Sequence, residues 1–520
     1  KKKKFPSKNC KNFFFFFFLK KKKEKRENEK RKNMAKLTHD CLYIIFEELE
    51  DDNNTLYSCL LMNRTICETV IPILWRDPWK FCQNNNKLKI LYNTIISLLP
   101  PDSKLLLINN DINIFNTFSP KPLFNYISYL KTLNAIDIDN MIKDLTDFQK
   151  YTYIKYNPNN KFLLGKEIMK MIMNLGLNLR ILSLYKCNVK EFYKFPGARE
   201  CLKNIVKLEC TINLDPSIFY GLAQICHNIK YLYINDCIRD NEGLATLIEA
   251  QKNLQYFTYE KFYNNHPLCK RIGNALEKKT DSLISLEAYG NIAICCSTFT
   301  KLTNLKILKL KVDLSNGCQE EFLRSLSLPN LERLYLSCHS LYTISKIIQQ
   351  TKGELLEIRI GSEKNISSED TLMLIKSITQ HCSNLILATI ICYDYNDIKE
   401  LKKLFSVCTK IEKLVLIHYT FNTNYEFYDD DLLDILIDCA PLTLNSLKVE
   451  CFNFSTESLE DFFEKWKLKQ QKPLSFYNIS EEEYFSFNNE KKLIVNKYIK
   501  EGVIKKFEEI DPYARFTDWD

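Results

Sequence analysis

A hexad of the form Leu-x-x-Leu-x-Leu recurs through most of this chain, and its spacing limits the fold more than any other feature. Clear copies begin at Leu179, Ile205, Ile229, Leu254, Leu283, Leu305, Leu331, Leu355, Leu385, Ile411 and Leu444, and a weaker copy at Leu474. Successive starts lie between 22 and 33 residues apart. Many copies follow an asparagine: Asn178, Asn204, Asn228, Asn253, Asn304, Asn330 and Asn384. A period of this length holds one strand and one crossover segment per repeat. Side chains alternate along a strand, so the fourth and sixth hexad residues face inward and the third and fifth face outward. A single repeat cannot bury its own apolar face, whereas stacked repeats share a continuous core. The expected class is α/β: a curved solenoid over 171–480, with a parallel sheet on the concave face and helices on the convex face. Asp240–Ala250 and Leu432–Cys439 read as such helices.

The flanks of the array are less regular. Residues 81–170 read as a linker or cap with degenerate repeats. Leu130-x-x-Leu133, with Ile136 and Ile138, suggests one such repeat, and Leu105–Ile108 suggests a strand. Residues 481–520 read as a cap or tail, built on a helix over Lys491–Glu508 that carries Leu493, Ile494, Tyr498 and Ile499.

Charge is concentrated at the start of the chain. Of the 73 Lys/Arg and 64 Asp/Glu, residues 1–33 hold 15 and 3. The remainder carries 58 against 61, a formal charge of −3. That balance gives no electrostatic case for nucleic-acid binding. The run Phe13–Leu19 is far short of the roughly 20 residues of a membrane helix. No small-residue cleavage site follows it. The expectation is a low-complexity leader, with translation starting at Met34.

Residues 34–80 read as a small helical module. Leu42, Ile45, Phe46 and Leu49 form one apolar helical stripe. Thr38 and Asp40 supply helix-start chemistry. Glu50–Asn54 reads as a polar loop, followed by helices over Thr55–Asn63 and Arg64–Ile73. Leu74-Trp75-Arg76 closes the module. Three short helices make too small a core to be very stable alone.

These residues resemble an F-box. Leu37, Asp40, Leu42, Ile45, Phe46 and Leu49 fall on the positions L-P-x-E-x-L-x-x-I-F-x-x-L. Met62-Asn63-Arg64 and Leu74-Trp75-Arg76 match two later steps, while Thr38 replaces the usual proline and Ile66 the common tryptophan. The copy Cys226-x-x-Ile229-x-x-Leu232-x-Ile234-x-x-Cys237 resembles the cysteine-containing class of leucine-rich repeat. Together they resemble a fungal-type F-box protein with leucine-rich repeats. The resemblance implies a substrate receptor of an SCF-type cullin–RING ubiquitin ligase. Leu37, Leu42, Ile45, Phe46, Leu49, Leu56 and Leu60 would then contact a Skp-type adaptor, and the concave face would bind a protein substrate for ubiquitin-dependent degradation. The other reading is a leucine-rich interaction scaffold with no ligase.

The outward hexad positions nominate that face: Lys207, Glu209, Tyr231, Tyr233, Tyr256, Arg333, Tyr335 and Arg359, with Thr258, Lys309 and Glu357 beside them. Tyrosine and arginine are favoured at protein interfaces. Signals for catalysis are lacking. The 11 glycines form no phosphate loop, and the six histidines show no metal spacing. The 20 cysteines contain no C-x-x-C, so they read as reduced, mostly buried thiols of a cytoplasmic or nuclear protein. No cofactor, metal, nucleic acid or membrane partner is expected.

Overall fold

The computed structural model describes residues 38–510 except 83–84, 113–121, 148–157, 262–266, 313–320, 322, 338–339, 362–365, 420–428, 470–471 and 480–485. Residues 1–33, Met34 and Leu37 lie outside the described residues. The chain divides into two compact units, at Phe81/Cys82.

Among its described residues the first unit contains three helices: α1 (His39–Glu47), α2 (Asn53–Cys59) and α3 (Arg64–Leu74). Each begins with a side chain that accepts a hydrogen bond from an orphan backbone N–H. Thr38 accepts from Cys41 at 3.4 Å, Asp52 from Thr55 at 3.1 Å and Asn63 from Ile66 at 2.9 Å. The cap at Asp52 starts α2 earlier than the apolar pattern predicts. The helix ends at Cys59, so Leu61 and Met62 fall in the turn that follows. Phe46, Leu56, Cys59, Val70, Ile73, Leu74 and Phe81 form the core, with Leu42, Leu49, Leu60 and Trp75 packed around it. Arg76 fastens the far end back onto α1. Its guanidinium donates to the Tyr43 hydroxyl and to Glu47, and reaches Glu50 at 3.3 Å.

The second unit is an α/β array. Fourteen strands are present among the described residues: β1 (Thr132–Asn134), β2 (Ile181–Ser183), β3 (Lys207–Thr211), β4 (Tyr231–Asn235), β5 (Tyr256–Lys261), β6 (Ser285–Gly290), β7 (Ile307–Val312), β8 (Arg333–Ser337), β9 (Glu357–Ile360), β10 (Leu387–Cys392), β11 (Lys413–His418), β12 (Ser446–Glu450), β13 (Leu474–Ile479) and β14 (Ile504–Ile510). They form one open, parallel sheet in strict chain order from β1 to β14. Parallel neighbours require a crossover between them. Helices such as Pro216–Ala223, Glu242–Ala250 and Lys270–Glu277 serve that purpose and pack on one another. No helix among the described residues is long and apolar enough to cross a membrane.

The hexad explains the core. Its first, fourth and sixth residues are buried in copy after copy, as in Ile229, Leu232 and Ile234 or Leu331, Leu334 and Leu336. Each such side chain contributes about 1.5–3 kcal/mol of burial. Polar ladders join the repeats. Cys226 donates its thiol to the Leu202 carbonyl, Gln251 its amide to the Cys226 carbonyl, and Cys408 its thiol to the Cys382 carbonyl. Asn304 and Asn330, each preceding a hexad, donate to Thr280 and Thr303 of the previous turn.

Three expectations need correction. Leu105–Ile108 is helical, not extended, within Pro101–Asn109. Pro101 stands in the first turn, where its missing N–H costs nothing, and Asp102 suits the positive end of the helix. The last weak hexad is displaced by one residue. Ser475 pairs with Ser446 and Phe476 with Leu447, so Phe476 and Asn478 point inward and Tyr477 points outward. A one-residue slip exchanges the two faces of a strand. The stretch Lys491–Glu508 is not one capping helix but a helix (Asn489–Lys500) and strand β14, a further repeat. The degenerate repeat read at Leu130–Ile138 is present as strand β1, in register with β2, and the start of the next helix, Ala135–Asp147.

Candidate binding face of the sheet

The outward third and fifth hexad residues form rows running across the strands. One row is Lys207, Tyr231, Tyr256, Ser285, Ile307, Arg333 and Glu357 on β3 to β9. The next is Glu209, Tyr233, Thr258, Glu287, Lys309, Tyr335 and Arg359. Beyond β9 this side of the sheet closes. Thr389, Val415, Ser446, Lys448 and Glu450 point the same way and are buried. The open stretch therefore ends at β9.

The predicted residues fall into two clusters. On β3–β5, Tyr231 stacks on Tyr256 with ring centroids 4.5 Å apart and planes 10° from parallel. Tyr231 keeps 41% of its surface exposed. Lys207 pairs with Glu209 at 2.7 Å, and Tyr233 meets Tyr185 edge-on. On β8–β9, Glu357 is the hub. It accepts from the Tyr335 hydroxyl at 2.6 Å and lies 3.4 Å from both Arg333 and Arg359. The Arg359 guanidinium sits over the Tyr335 ring, 4.9 Å from its centroid. Burial, reinforced by the bond to Glu357, raises the Tyr335 phenol above its ordinary value and keeps it a neutral donor. Tyr256 and Arg333 are three strands apart, roughly 14 Å at the usual strand spacing.

Between β7 and β9 the face contains a shallow pocket of about 70 Å³, lined by Lys309, Leu310, Lys311, Tyr335, Leu336, Ser337 and Arg359. Lys311 and Ser337 were not among the predicted outward residues. They are the seventh residues of their repeats, one past the hexad, where β7 and β8 continue. The outward alternation simply carries on, and extending it by two residues finds both.

The adaptor residues proposed on the first unit do not share one environment. Phe46 is only 6% exposed and Leu56 fully buried, so both build the unit's own core. Leu42, Leu49 and Leu60 are partly buried against that core. Ile45 is 46% exposed. Three further apolar side chains stand in solvent: Ile44 at 62%, Leu61 at 64% and Met62 at 65%. Ile44 shares the helix with the predicted stripe but lies beside it, and Leu61 and Met62 are released by the early end of α2.

No family model matches this chain, and no curated protein matches it.

Proposed function

We propose that this chain is the substrate-recognition subunit of an SCF-type ubiquitin ligase. Its first unit docks as an F-box on a Skp-type adaptor, and through it on a cullin–RING assembly. The open face of a leucine-rich-repeat solenoid captures a protein substrate, and ubiquitin transfer is done by partner subunits. The observation that carries this reading is the exposure of Ile44, Ile45, Leu61 and Met62 on a unit whose own core is already closed. Ile44 and Ile45 are chain neighbours, as are Leu61 and Met62, and large apolar side chains left in solvent in this way support association with a partner. The tyrosine- and arginine-bearing rows of β3–β9 supply the second surface.

The test is co-purification of the full chain with a Skp-type adaptor, followed by a substrate-trapping pull-down. Tyr231→Ala combined with Tyr233→Ala is expected to abolish substrate capture and to leave adaptor binding intact. A folded chain that binds no adaptor would overturn the ligase assignment and leave a repeat-built interaction scaffold.

A further inference from the structure

We infer that a cleft beside the end of β2 is a binding site for an amphipathic monocarboxylate, a fatty acid of medium chain length. The site lies apart from the open rows of β3–β9 and is independent of the ligase reading. Its volume is about 330 Å³, against about 70 Å³ for the pocket on β7–β9. Three elements wall it: the helix Ala135–Asp147, the helix Pro158–Leu175, and the turn of residues 186–189 that follows β2.

The sequence keeps this space open. Gly165 lies inside the second helix, where glycine is the least favoured residue after proline. A Cβ there would stand 3.0 Å from Ile142 Cδ1 and 4.0 Å from Val189 Cγ2, which belong to the other two walls. Any larger residue would therefore begin to fill the floor. That floor is apolar: Ala135, Ile138, Ile142, Met169 and Val189 line it and are buried. Phe162 stands at the mouth and keeps 51% of its surface exposed. A water needs on the order of 10–15 Å³ measured this way, so the cleft has room for about twenty of them, with few polar partners to hold them. Apolar walls, a few polar groups and a volume within about 300–1,000 Å³ are the usual form of a small-ligand site.

The mouth selects the charge. Lys186 is exposed there, and Lys161 and Asp139 are partly so. Asp139 is answered within its own helix by Lys143, 2.6 Å away. Lys186 has no ion pair among the described residues. Two lysines against one aspartate leave a single positive charge on the lining, which matches one carboxylate. The backbone at Lys186 is left-handed, with φ 56°. It is the eighth residue of its repeat, and the eighth residues Asp236, Gly290 and Cys451 of later repeats are left-handed too. Glycine adopts that conformation freely and aspartate more readily than most residues. The repeat thus dictates the turn but not the lysine, whose amine the cleft uses.

The experiment titrates the folded full chain by calorimetry with decanoate, octanoate and decyltrimethylammonium, each below its micelle concentration. Decanoate is expected to bind. Octanoate should bind about tenfold more weakly, because each buried methylene is worth about fourfold. Decyltrimethylammonium has the same chain with the opposite charge and should bind at least about fivefold more weakly. Gly165→Ala, which puts a methyl into the floor, and Phe162→Ser should each weaken decanoate about fivefold. Lys186→Gln should weaken it about threefold. Lys230→Gln, exposed and two repeats away, should change nothing. Circular dichroism checks each fold, and Phe162→Ser decides if Gly165→Ala does not fold. No decanoate binding, or wild-type affinity in both Gly165→Ala and Phe162→Ser, would overturn the site. Equal affinity for decanoate and octanoate would overturn the apolar chain. Equal affinity for decanoate and decyltrimethylammonium, or wild-type decanoate affinity in Lys186→Gln, would overturn the carboxylate.

Discussion

Phe46 and its neighbour Ile45 should fail in opposite ways when truncated. Phe46 is buried in the first unit against Leu56, Val70 and Leu74, whereas Ile45 is nearly half exposed. Removing a buried phenylalanine costs about 3–5 kcal/mol, from lost transfer energy and the cavity left behind. The described part of the first unit, Thr38–Phe81, spans 44 residues. A core of that size rarely supplies more than about 3–5 kcal/mol in total. Phe46→Ala therefore brings the unit to the edge of unfolding, and it loses adaptor binding because the surface is no longer built. Ile45→Ser and Met62→Ser delete little buried area, so helices α1–α3 persist. Their loss appears only in the complex, at about 1–2 kcal/mol each if they are anchors. The assay pairs hydrogen exchange of the α3 amides with calorimetric titration of a Skp-type adaptor. Phe46→Ala should deprotect α3, and Ile45→Ser and Met62→Ser should protect it like wild type while binding roughly tenfold more weakly. The reasoning fails if Phe46→Ala keeps wild-type α3 protection, or if the two surface variants bind with wild-type affinity.

Three other outcomes follow from the array. Leu308→Asp places an unpaired charge on a fully buried inward position and should collapse the cooperative thermal transition, while Arg333→Glu on the next strand's outward face should leave melting within a few degrees of wild type. Gly243→Ala would bring a Cβ to 2.2 Å from the Pro216 carbonyl oxygen, where neighbouring repeats touch, so urea denaturation should report a loss of about 1–3 kcal/mol. Burial, with the nearby Asp394 charge adding to it, raises Asp397 from 3.8 to about 6 even though Thr371 and the Tyr393 amide donate to it. The folded state thus holds this proton more tightly than the unfolded chain. The stabilisation is complete below about pH 4 and is lost as pH rises through 6, an effect on the order of 2–3 kcal/mol. Comparison with Asp397→Asn, which does not titrate, should show the wild-type advantage shrinking between pH 4 and 7; a constant difference would refute it.

By itself the sequence determined the repeat and its two faces. Alternation along a strand is a local property, so Leu208 and Cys210 inward, with Lys207 and Glu209 outward, could be read without any neighbour. The start of α1 was legible for the same reason, since Thr38 caps the backbone just after it. Where local signals balance, tertiary structure decided. Leu474 and Ile479 let β13 be written in either phase, and only pairing with β12 turned Phe476 inward and Tyr477 out. Phe46 and Ile45 are equally apolar in the sequence, and only the packing of α1 against α3 made one core and the other surface. The β7–β9 pocket is the clearest case. Its lining includes Lys309 and Lys311, Ser337 and Arg359, from three different repeats. Nothing local marks them as a group, because what joins them is the registration of parallel strands. That registration is set by the shared core behind the sheet rather than by the outward side chains themselves.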